Sequence, residues 1–195
     1  MERNKIEVGE LSVFVFDTRA EMGFAAAEDA AARINRVIAE NGEATVVFAA
    51  APSQNELLAA LKEADIDWTK VRAMHMDEYI GLAEDHEAGF GNFLRRALFN
   101  DLPFKSVHYL FNSESDPEMI CERYSRLLEK YPPDLVLLGV GENGHLAFND
   151  PAVADFADPQ LVKIVELDDV CRMQQVNDGC FASFEEVPER AITLT

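Results

Sequence analysis

The sequence predicts an α/β fold of the doubly wound type, in which helices cover both faces of a mostly parallel sheet. Short runs that are apolar throughout alternate with segments whose apolar residues recur at helical spacing. Helix-capping residues separate the two kinds of segment. Strands that are apolar at every position are typical of a parallel sheet buried between two layers of helices.

The predicted strands are short runs rich in β-branched and aromatic residues. In chain order they are residues 11–18 (LSVFVFDT), 44–51 (ATVVFAAA), 71–76 (VRAMHM), 107–110 (VHYL), 134–140 (DLVLLGV), 161–167 (LVKIVEL) and 191–195 (AITLT). The run 134–140 is the clearest prediction of a buried strand. A terminal parallel strand usually has a covering helix, so we expect the C-terminal part of the domain to lie beyond residue 195.

Capping residues mark the ends of the predicted helices. Thr18-x-x-Glu21 is a capping box, and Asn41-Gly42 ends the first helix. Ser53-x-x-Glu56 predicts the start of the second helix, and Asp116-Pro117 supplies an N-cap and a first-turn proline for a later one. Shorter helical segments are predicted at residues 93–99 and 171–181. No repeat or low-complexity linker interrupts this order, so we expect residues 1–195 to form a single domain.

Composition and charge narrow the classes of function. The chain has 17 basic and 36 acidic residues, a net charge of −19, so its field repels polyanions. We therefore expect neither nucleic acid nor an anionic membrane as a partner. No apolar run has the length of about 20 residues that a membrane span needs, and the N-terminus lacks the apolar core of a signal peptide. These features predict a cytoplasmic protein.

The three cysteines do not suggest a disulfide framework or a zinc site. Cys121, Cys171 and Cys180 are an odd number and show no CxxC spacing. We expect reduced thiols.

Three polar stretches follow predicted strands directly. They are residues 51–56 (APSQNE), 76–82 (MDEYIGL) and 141–151 (GENGHLAFNDP). Ligands of open parallel sheets bind at the carboxyl ends of the strands, where the loops fan apart. The coincidence of the three stretches at such positions predicts a binding site there.

The stretch GENGHLAFNDP contains the strongest candidate for proton transfer. Gly141 and Gly144 allow the main chain to approach a ligand, and His145 belongs to the side-chain type best suited to carry protons near neutral pH. Asn143 or Asp150 could orient the imidazole ring. The alternative interpretation is a glycine-rich turn with a surface histidine.

The other two stretches offer a base and an anion site. Asp77 follows an apolar strand, where partial burial would raise its pKa and suit it to a general base. The alternative is that Asp77 or Glu78 only stabilises the following turn, and that His75 is a packed or supporting residue. Ser53 at a helix N-terminus could hold a phosphate, although serine is also a common N-cap.

The combination of MDEYIGL with LLGVGENGHLAFNDP resembles the glucosamine-6-phosphate deaminase and isomerase family, whose superfamily includes 6-phosphogluconolactonase. The resemblance extends from the first predicted helix to AITLT. It implies a Rossmann-like fold and a role in amino-sugar metabolism: ring opening of an amino-sugar phosphate, aldose–ketose isomerisation and loss of ammonia, without a metal or organic cofactor.

The resemblance also implies roles for individual residues. In that family the aspartate of MDE moves a proton between the first two sugar carbons, a role that carries over to Asp77. His145 would assist ring opening, supported by Asp150; the position of Asn143 is an aspartate in some members. Substrate binding is assigned to the following residues: Ser53, Gln54, Glu78, Gly141, Gly144 and Arg172.

The sequence differs from the family pattern at the residues that bind the substrate phosphate. A TGSTP-like loop is replaced by AAPSQ, in which Ser53 and the neighbouring backbone remain. The position that matches the family's arginine is Arg172, Gln175 or Asn177. The position of the family's phosphate-binding lysine is expected beyond residue 195.

Two other functions stay open alongside the deaminase. One is 6-phosphogluconolactonase, although its loop resembles GPDGHTAS and it lacks MDEYIGL. The other is a non-catalytic sugar-phosphate sensor, which the altered phosphate loop favours. The expected partner in each case is a small sugar phosphate, and homo-oligomer formation is left open.

Overall fold

The structure is a computed structural model and describes residues 4–110 and 116–195. The helices are α1 (Arg19–Asn41), α2 (Asn55–Lys62), α3 (Phe90–Leu94), α4 (Pro117–Lys130) and α5 (Asp169–Asn177). The strands are β1 (Asn4–Val8), β2 (Leu11–Val15), β3 (Ala44–Phe48), β4 (Val71–His75), β5 (Asp77–Tyr79), β6 (Ser106–His108), β7 (Leu135–Leu137), β8 (Val162–Glu166) and β9 (Arg190–Leu194). No helix among the described residues has the length and apolarity to cross a bilayer.

A four-stranded parallel sheet in the order β6-β4-β3-β7 forms the centre of the molecule. Alternate residues of β3 point into different apolar clusters: Val46 and Phe48 pack with α1 and α2, whereas Val47 packs with α4. Helices therefore cover both faces of the sheet, and the predicted fold class is confirmed.

A second sheet continues directly from the first. Met76 alone separates β4 from β5, and β5 pairs with β9 in a three-stranded antiparallel sheet of order β5-β9-β8. The prediction that the last strand, AITLT, is parallel was wrong. Local apolar patterning identifies a strand, but the direction of its neighbours depends on contacts far along the chain.

The first predicted strand also lies outside the parallel sheet. β2 pairs antiparallel with β1 in an N-terminal hairpin, whose turn contains Gly9 at φ 62°. Most side chains of β2 are exposed. The preceding strand, β1, pairs with β2, so the apolar residues of β2 do not enter the core.

The strand most clearly predicted to be buried, at residues 134–140, is only half-buried where it forms β7. β7 pairs with β3 alone among the described residues, and its Val136 side chain is 44% exposed. Among the described residues, β7 lies at the edge of the sheet. Its apolar composition therefore predicts more burial than the strand has.

The predicted caps are confirmed in two helices and wrong in one. Thr18 Oγ1 accepts a hydrogen bond from Glu21 N at the start of α1, and the Asp116 side chain accepts one from Glu118 N at the start of α4. Helix α2 begins at Asn55 after a 3-10 turn, without a side-chain cap from Ser53. The Glu56 carboxylate instead forms a bidentate ion pair with Arg19 of α1 at 2.8–2.9 Å.

Candidate active site

A cleft lies at the carboxyl ends of β3, β4 and β7. The three polar stretches identified in the sequence all contribute to it, and α5 closes the remaining side. Its lining is formed by residues Ala49, Ala50, Ala51, Pro52, Ser53, Met76, Asp77, Phe90, Gly139, Val140, Gly141, His145, Ala147, Phe148, Gln174, Gln175, Asp178 and Cys180. Asp77 and His145 therefore face one common cavity.

Asp77 lies at the point where the chain passes from the parallel to the antiparallel sheet. It is the first residue of β5, opposite Thr193 of β9, and it is 8% exposed. Burial raises the pKa of the Asp77 carboxyl well above its ordinary value, and the adjacent Glu78 carboxylate raises it further. A buried carboxylate with a raised pKa at the wall of a cleft has the properties of a general base.

Glu78, which we expected to bind substrate, has a structural role instead. Its carboxylate accepts hydrogen bonds from Phe90 N at 3.0 Å and Gly91 N at 2.8 Å, the first two amides of α3. It also accepts one from Tyr79 N, and it does not line the cleft. Adjacent residues on a strand point to opposite faces, so only Asp77 of this pair reaches the cavity.

The His145 ring is held from one side by Asn143. Its Nδ1 lies 2.7 Å from Asn143 Oδ1 and 3.0 Å from Asp150 Oδ1, and its backbone N–H also donates to Asn143 Oδ1. Two acceptors around Nδ1 favour the tautomer with hydrogen on that atom. The lone pair on Nε2 is then available for proton exchange with a ligand.

Two glycines shape this loop in different ways. Gly144 has φ +88°, a left-handed conformation that side chains disfavour. At Gly141 the constraint is steric, because a Cβ would lie 2.3–2.6 Å from three atoms of the His145 ring. Ala147, also in the loop, has φ 52° without being a glycine. The backbone adopts this conformation although it is strained at that residue.

Asn143 links the buried carboxylate of Asp150 to the half-buried carboxylate of Asp168 behind the histidine. Its Nδ2 donates to Asp150 Oδ1 at 2.9 Å and to Asp168 Oδ2 at 3.2 Å. Asp168 was not identified from the sequence; it is the N-cap of α5, where it accepts from Cys171 N at 2.7 Å. The only sequence signal for it was an aspartate before a short helical segment.

Ser53 and Gln54 lie together beside β7. Gln54 Nε2 donates to Ser53 Oγ at 3.2 Å, and Gln54 is buried whereas Ser53 is exposed at the cleft. A Cβ on Gly139 would lie 3.3–3.4 Å from these two polar atoms, so a side chain there would crowd them. Ser53 can therefore contact a ligand directly, and Gln54 can support it from behind.

Arg172, expected at the substrate, points away from the cleft. Its guanidinium donates to Phe184 O and Val187 O and stacks over the Phe184 ring at 4.0 Å. It therefore ties α5 to the segment before β9. The residues of α5 that line the cavity are Gln174 and Gln175. The two carbonyls hold the Arg172 guanidinium away from the cleft, although Gln175 is only three residues further along the helix.

No lysine or arginine among the described residues lines the cleft. The charged or titratable side chains there are Asp77, His145, Asp178 and Cys180. An anionic group would therefore depend on backbone amides, on hydroxyl and amide side chains such as Ser53 and Gln174, and on a protonated His145.

One group of side chains has the composition of a metal site. Ligand atoms of His145, Asp150 and Cys171 lie within 4.8 Å of one another, and all three residues are buried. Asn143 hydrogen-bonds both His145 and Asp150, which accounts for their arrangement without an ion. The three cysteines form no disulfide with one another.

Comparison with known proteins identifies the family. Residues 17–155 match the family model described as glucosamine-6-phosphate isomerases/6-phosphogluconolactonase. The chain belongs to this family. The match includes Asp77, His145 and the network around Asn143 except Asp168.

Curated relatives in the family are named glucosamine-6-phosphate deaminase. The protein from an Exiguobacterium species is 36% identical over 133 residues, covering 68% of this chain and 50% of the relative. That from Streptococcus pneumoniae serotype 4 is 34% identical over 154 residues, covering 79% and 64%. The chain thus spans between half and two thirds of the length of these relatives.

Solved structures agree with the fold. A monomeric glucosamine-6-phosphate deaminase superposes with a TM-score of 0.80 at 24% identity, covering 92% of this chain and 73% of that one. The 6-phosphogluconolactonase of Trypanosoma brucei gives 0.73 at 18% identity, covering 93% and 74%. At these identities the two neighbours establish the family fold.

Asn143→Asp is expected to destabilise this family member by about 2 kcal/mol at pH 7. An aspartate would place a third carboxylate at 2.9–3.2 Å from Asp150 and Asp168, where Asn143 now donates hydrogen bonds. The repulsion disappears once the introduced carboxyl takes up a proton, which also restores a donor, so the loss should shrink as pH falls. Urea unfolding at pH 7 and pH 5 measures this. The exposed Asn177→Asp makes the same charge change as a control; equal losses in the two variants would contradict the assignment.

Proposed function

We propose that this chain carries the catalytic site of an amino-sugar phosphate isomerase and deaminase. The reaction takes glucosamine 6-phosphate and water to fructose 6-phosphate and ammonia. The observation that supports this most directly is that Asp77 and His145 line one cleft in a chain that belongs to the family. Relatives named for this reaction support the choice of substrate.

Ring opening is the step that we assign to His145. With hydrogen on Nδ1, the Nε2 lone pair can accept a proton from the C1 hydroxyl of the sugar and pass it to the ring oxygen. Asn143 fixes the ring orientation through Nδ1, and Asp150 stabilises the imidazolium that forms for a moment. This gives the open-chain aldehyde.

Isomerisation and deamination follow at Asp77. Its carboxylate removes the proton from C2 and returns it to C1, through an enediol-like intermediate, while the C2 amine gives up a proton and the C1 oxygen takes one up. The resulting imine at C2 takes up water and releases ammonia, leaving the ketone of fructose 6-phosphate. The step requires the ionised carboxylate at its start, and burial makes that carboxylate a stronger base than an exposed aspartate.

We place the phosphate at the Ser53 side of the cleft. The Ser53 hydroxyl and neighbouring backbone amides would donate to it, and Gln174 and Gln175 offer further neutral donors from α5. Arg172 takes no part, since its guanidinium is bound to backbone carbonyls. We also propose a cytoplasmic location for the protein, consistent with its unpaired cysteines.

We expect the activity to fall at acid pH as the Asp77 carboxylate becomes protonated. Activity requires the ionised carboxylate, and its pKa is raised above the ordinary 3.8, so kcat should rise with pH through a midpoint above 3.8. Initial rates of ammonia release between pH 4 and 8 measure this acid limb of the pH profile. A midpoint at or below that of a free aspartate would contradict a buried base.

The experiment that tests the proposal is incubation of the protein with glucosamine 6-phosphate, followed by assays for ammonia and fructose 6-phosphate. Release of both in equal amounts is the expected result. Acid release from 6-phosphogluconolactone without ammonia formation would select the lactonase instead. Saturable binding of glucosamine 6-phosphate without turnover would select the sensor.

A further inference from the structure

His75 is completely buried one residue before Met76, and both of its ring nitrogens are hydrogen-bonded to backbone. Leu110 N lies 3.0 Å from Nε2, and Nδ1 lies 3.0 Å from the carbonyl oxygen of Asp77. The Leu110 amide can only donate, and the Asp77 carbonyl can only accept. Nε2 must therefore be the acceptor and Nδ1 must carry the hydrogen.

This arrangement fixes one neutral tautomer of the ring. A protonated His75 would bring an N–H against the Leu110 amide, and burial opposes its charge. Burial lowers the pKa of His75 to about 4, so the ring stays neutral across the physiological range. His75 can therefore hold the Asp77 carbonyl at any pH at which the deaminase reaction is expected to run.

The Asp77 carbonyl lies at the corner between the two sheets. Met76 is the single residue between β4 and β5, and its carbonyl accepts a hydrogen bond from Leu194 N of β9 at 2.8 Å. The carbonyl of Asp77 is held by His75 of β4. Two successive carbonyls are thus fixed from different sheets, which determines the direction in which the intervening Asp77 Cα–Cβ bond points.

We propose that His75 is a positioning residue, which aims the Asp77 carboxylate into the cleft through its hydrogen bond to the Asp77 carbonyl. The proposal rests on the proposed function of Asp77 as the base. His75 itself does not line the cleft and touches no substrate. The same ring also anchors Leu110, so it links the corner to the segment that follows β6.

Two substitutions separate positioning from packing. His75→Leu removes both hydrogen bonds, and it should lower kcat by about tenfold or more with little change in KM, because small displacements of a base are costly. It should also move the acid limb to lower pH as the carboxylate becomes more solvated. His75→Asn keeps a donor near the position of Nδ1, and it should retain most of kcat and the wild-type limb.

Tyr124→Phe is the matched control. The Tyr124 hydroxyl accepts from His75 N and can donate to His75 O, both at 2.9 Å, but it does not touch the ring nitrogens or Asp77. We expect this variant to lose thermal stability and to keep the acid limb in place. Equal kinetics for His75→Leu and wild type, or the same limb shift in Tyr124→Phe, would overturn the proposal.

A spectroscopic measurement tests the geometry independently of turnover. Nitrogen-15 NMR of labelled histidine should show His75 as a neutral ring protonated on Nδ1 at pH 6. A ring protonated on Nε2, or a charged ring, would overturn the proposal even if a variant fails to fold. Absence of wild-type deaminase activity would instead refute the proposed function, which this spectrum does not depend on.

Discussion

Asp77→Asn should reduce ammonia release from glucosamine 6-phosphate by about 10³-fold, within the range that a positioned general base contributes. The amide cannot accept the C2 proton, but it has nearly the same shape as the carboxylate. Substrate binding should therefore change little. The measurement is steady-state kinetics with the near-UV circular dichroism spectrum as a check on folding. Turnover within tenfold of wild type would eliminate Asp77 as the base.

The same variant should be more stable than wild type at neutral pH. Because the folded-state pKa of Asp77 is raised, the stability that this group contributes is fully present below its unfolded-state pKa and is lost as pH rises through the folded-state pKa. Asparagine carries no charge to bury, so that loss disappears. Urea unfolding at pH 4 and pH 7 should show the gain at pH 7 only. A stability loss at pH 7 would indicate that the ionised carboxylate is favourably bound.

Gly141→Ala is expected to lower kcat by about 10²- to 10³-fold through His145. The added Cβ would lie 2.3–2.6 Å from the ring, far inside van der Waals contact, and the loop backbone is itself tied by the Gly141 N to His145 O hydrogen bond. The ring must move, which breaks its contact with Asn143. The measurement is kcat together with the substrate Kd, since binding should suffer less than turnover.

Gly42→Ala is the matched control for that substitution. Gly42 ends α1 with φ +85° and has no atom within 4 Å of a built Cβ. Alanine there should cost about 1 kcal/mol of backbone strain and leave turnover per folded molecule unchanged. Similar kinetic losses in the two variants would show that the Gly141 effect is a general loss of stability.

Local chemistry made part of this structure predictable. Thr18 and Asp116 cap their helices because a side-chain oxygen satisfies amides a few residues away, which is visible in the sequence. The convergence of the three polar stretches followed from a rule about parallel sheets. Ser53 met the same local criterion as Thr18 but does not cap a helix, because a 3-10 turn intervenes.

Long-range packing decided the remaining features. Glu78 caps α3 and Arg172 binds carbonyls before β9, and neither partner is close enough in the sequence to be inferred from spacing. The antiparallel pairing of β5 with β9 joins segments more than 100 residues apart. The sequence therefore identified the stretches that form the site. It was less reliable for the side chain of each stretch that faces the cleft.

The histidine loop depends on the last strand for its shape. Thr193 Oγ1 accepts from Phe148 N at 3.0 Å, and Asn149 donates to Leu194 O at 2.8 Å, across 45 residues of chain in both cases. Both bonds are made by the two residues that directly follow Ala147, whose φ of 52° is unfavourable for a residue other than glycine. We therefore expect the loop to settle only after β9 has docked, because its shape depends on contacts that close a long segment of chain. On this hypothesis the cleft is among the last parts of the molecule to assemble.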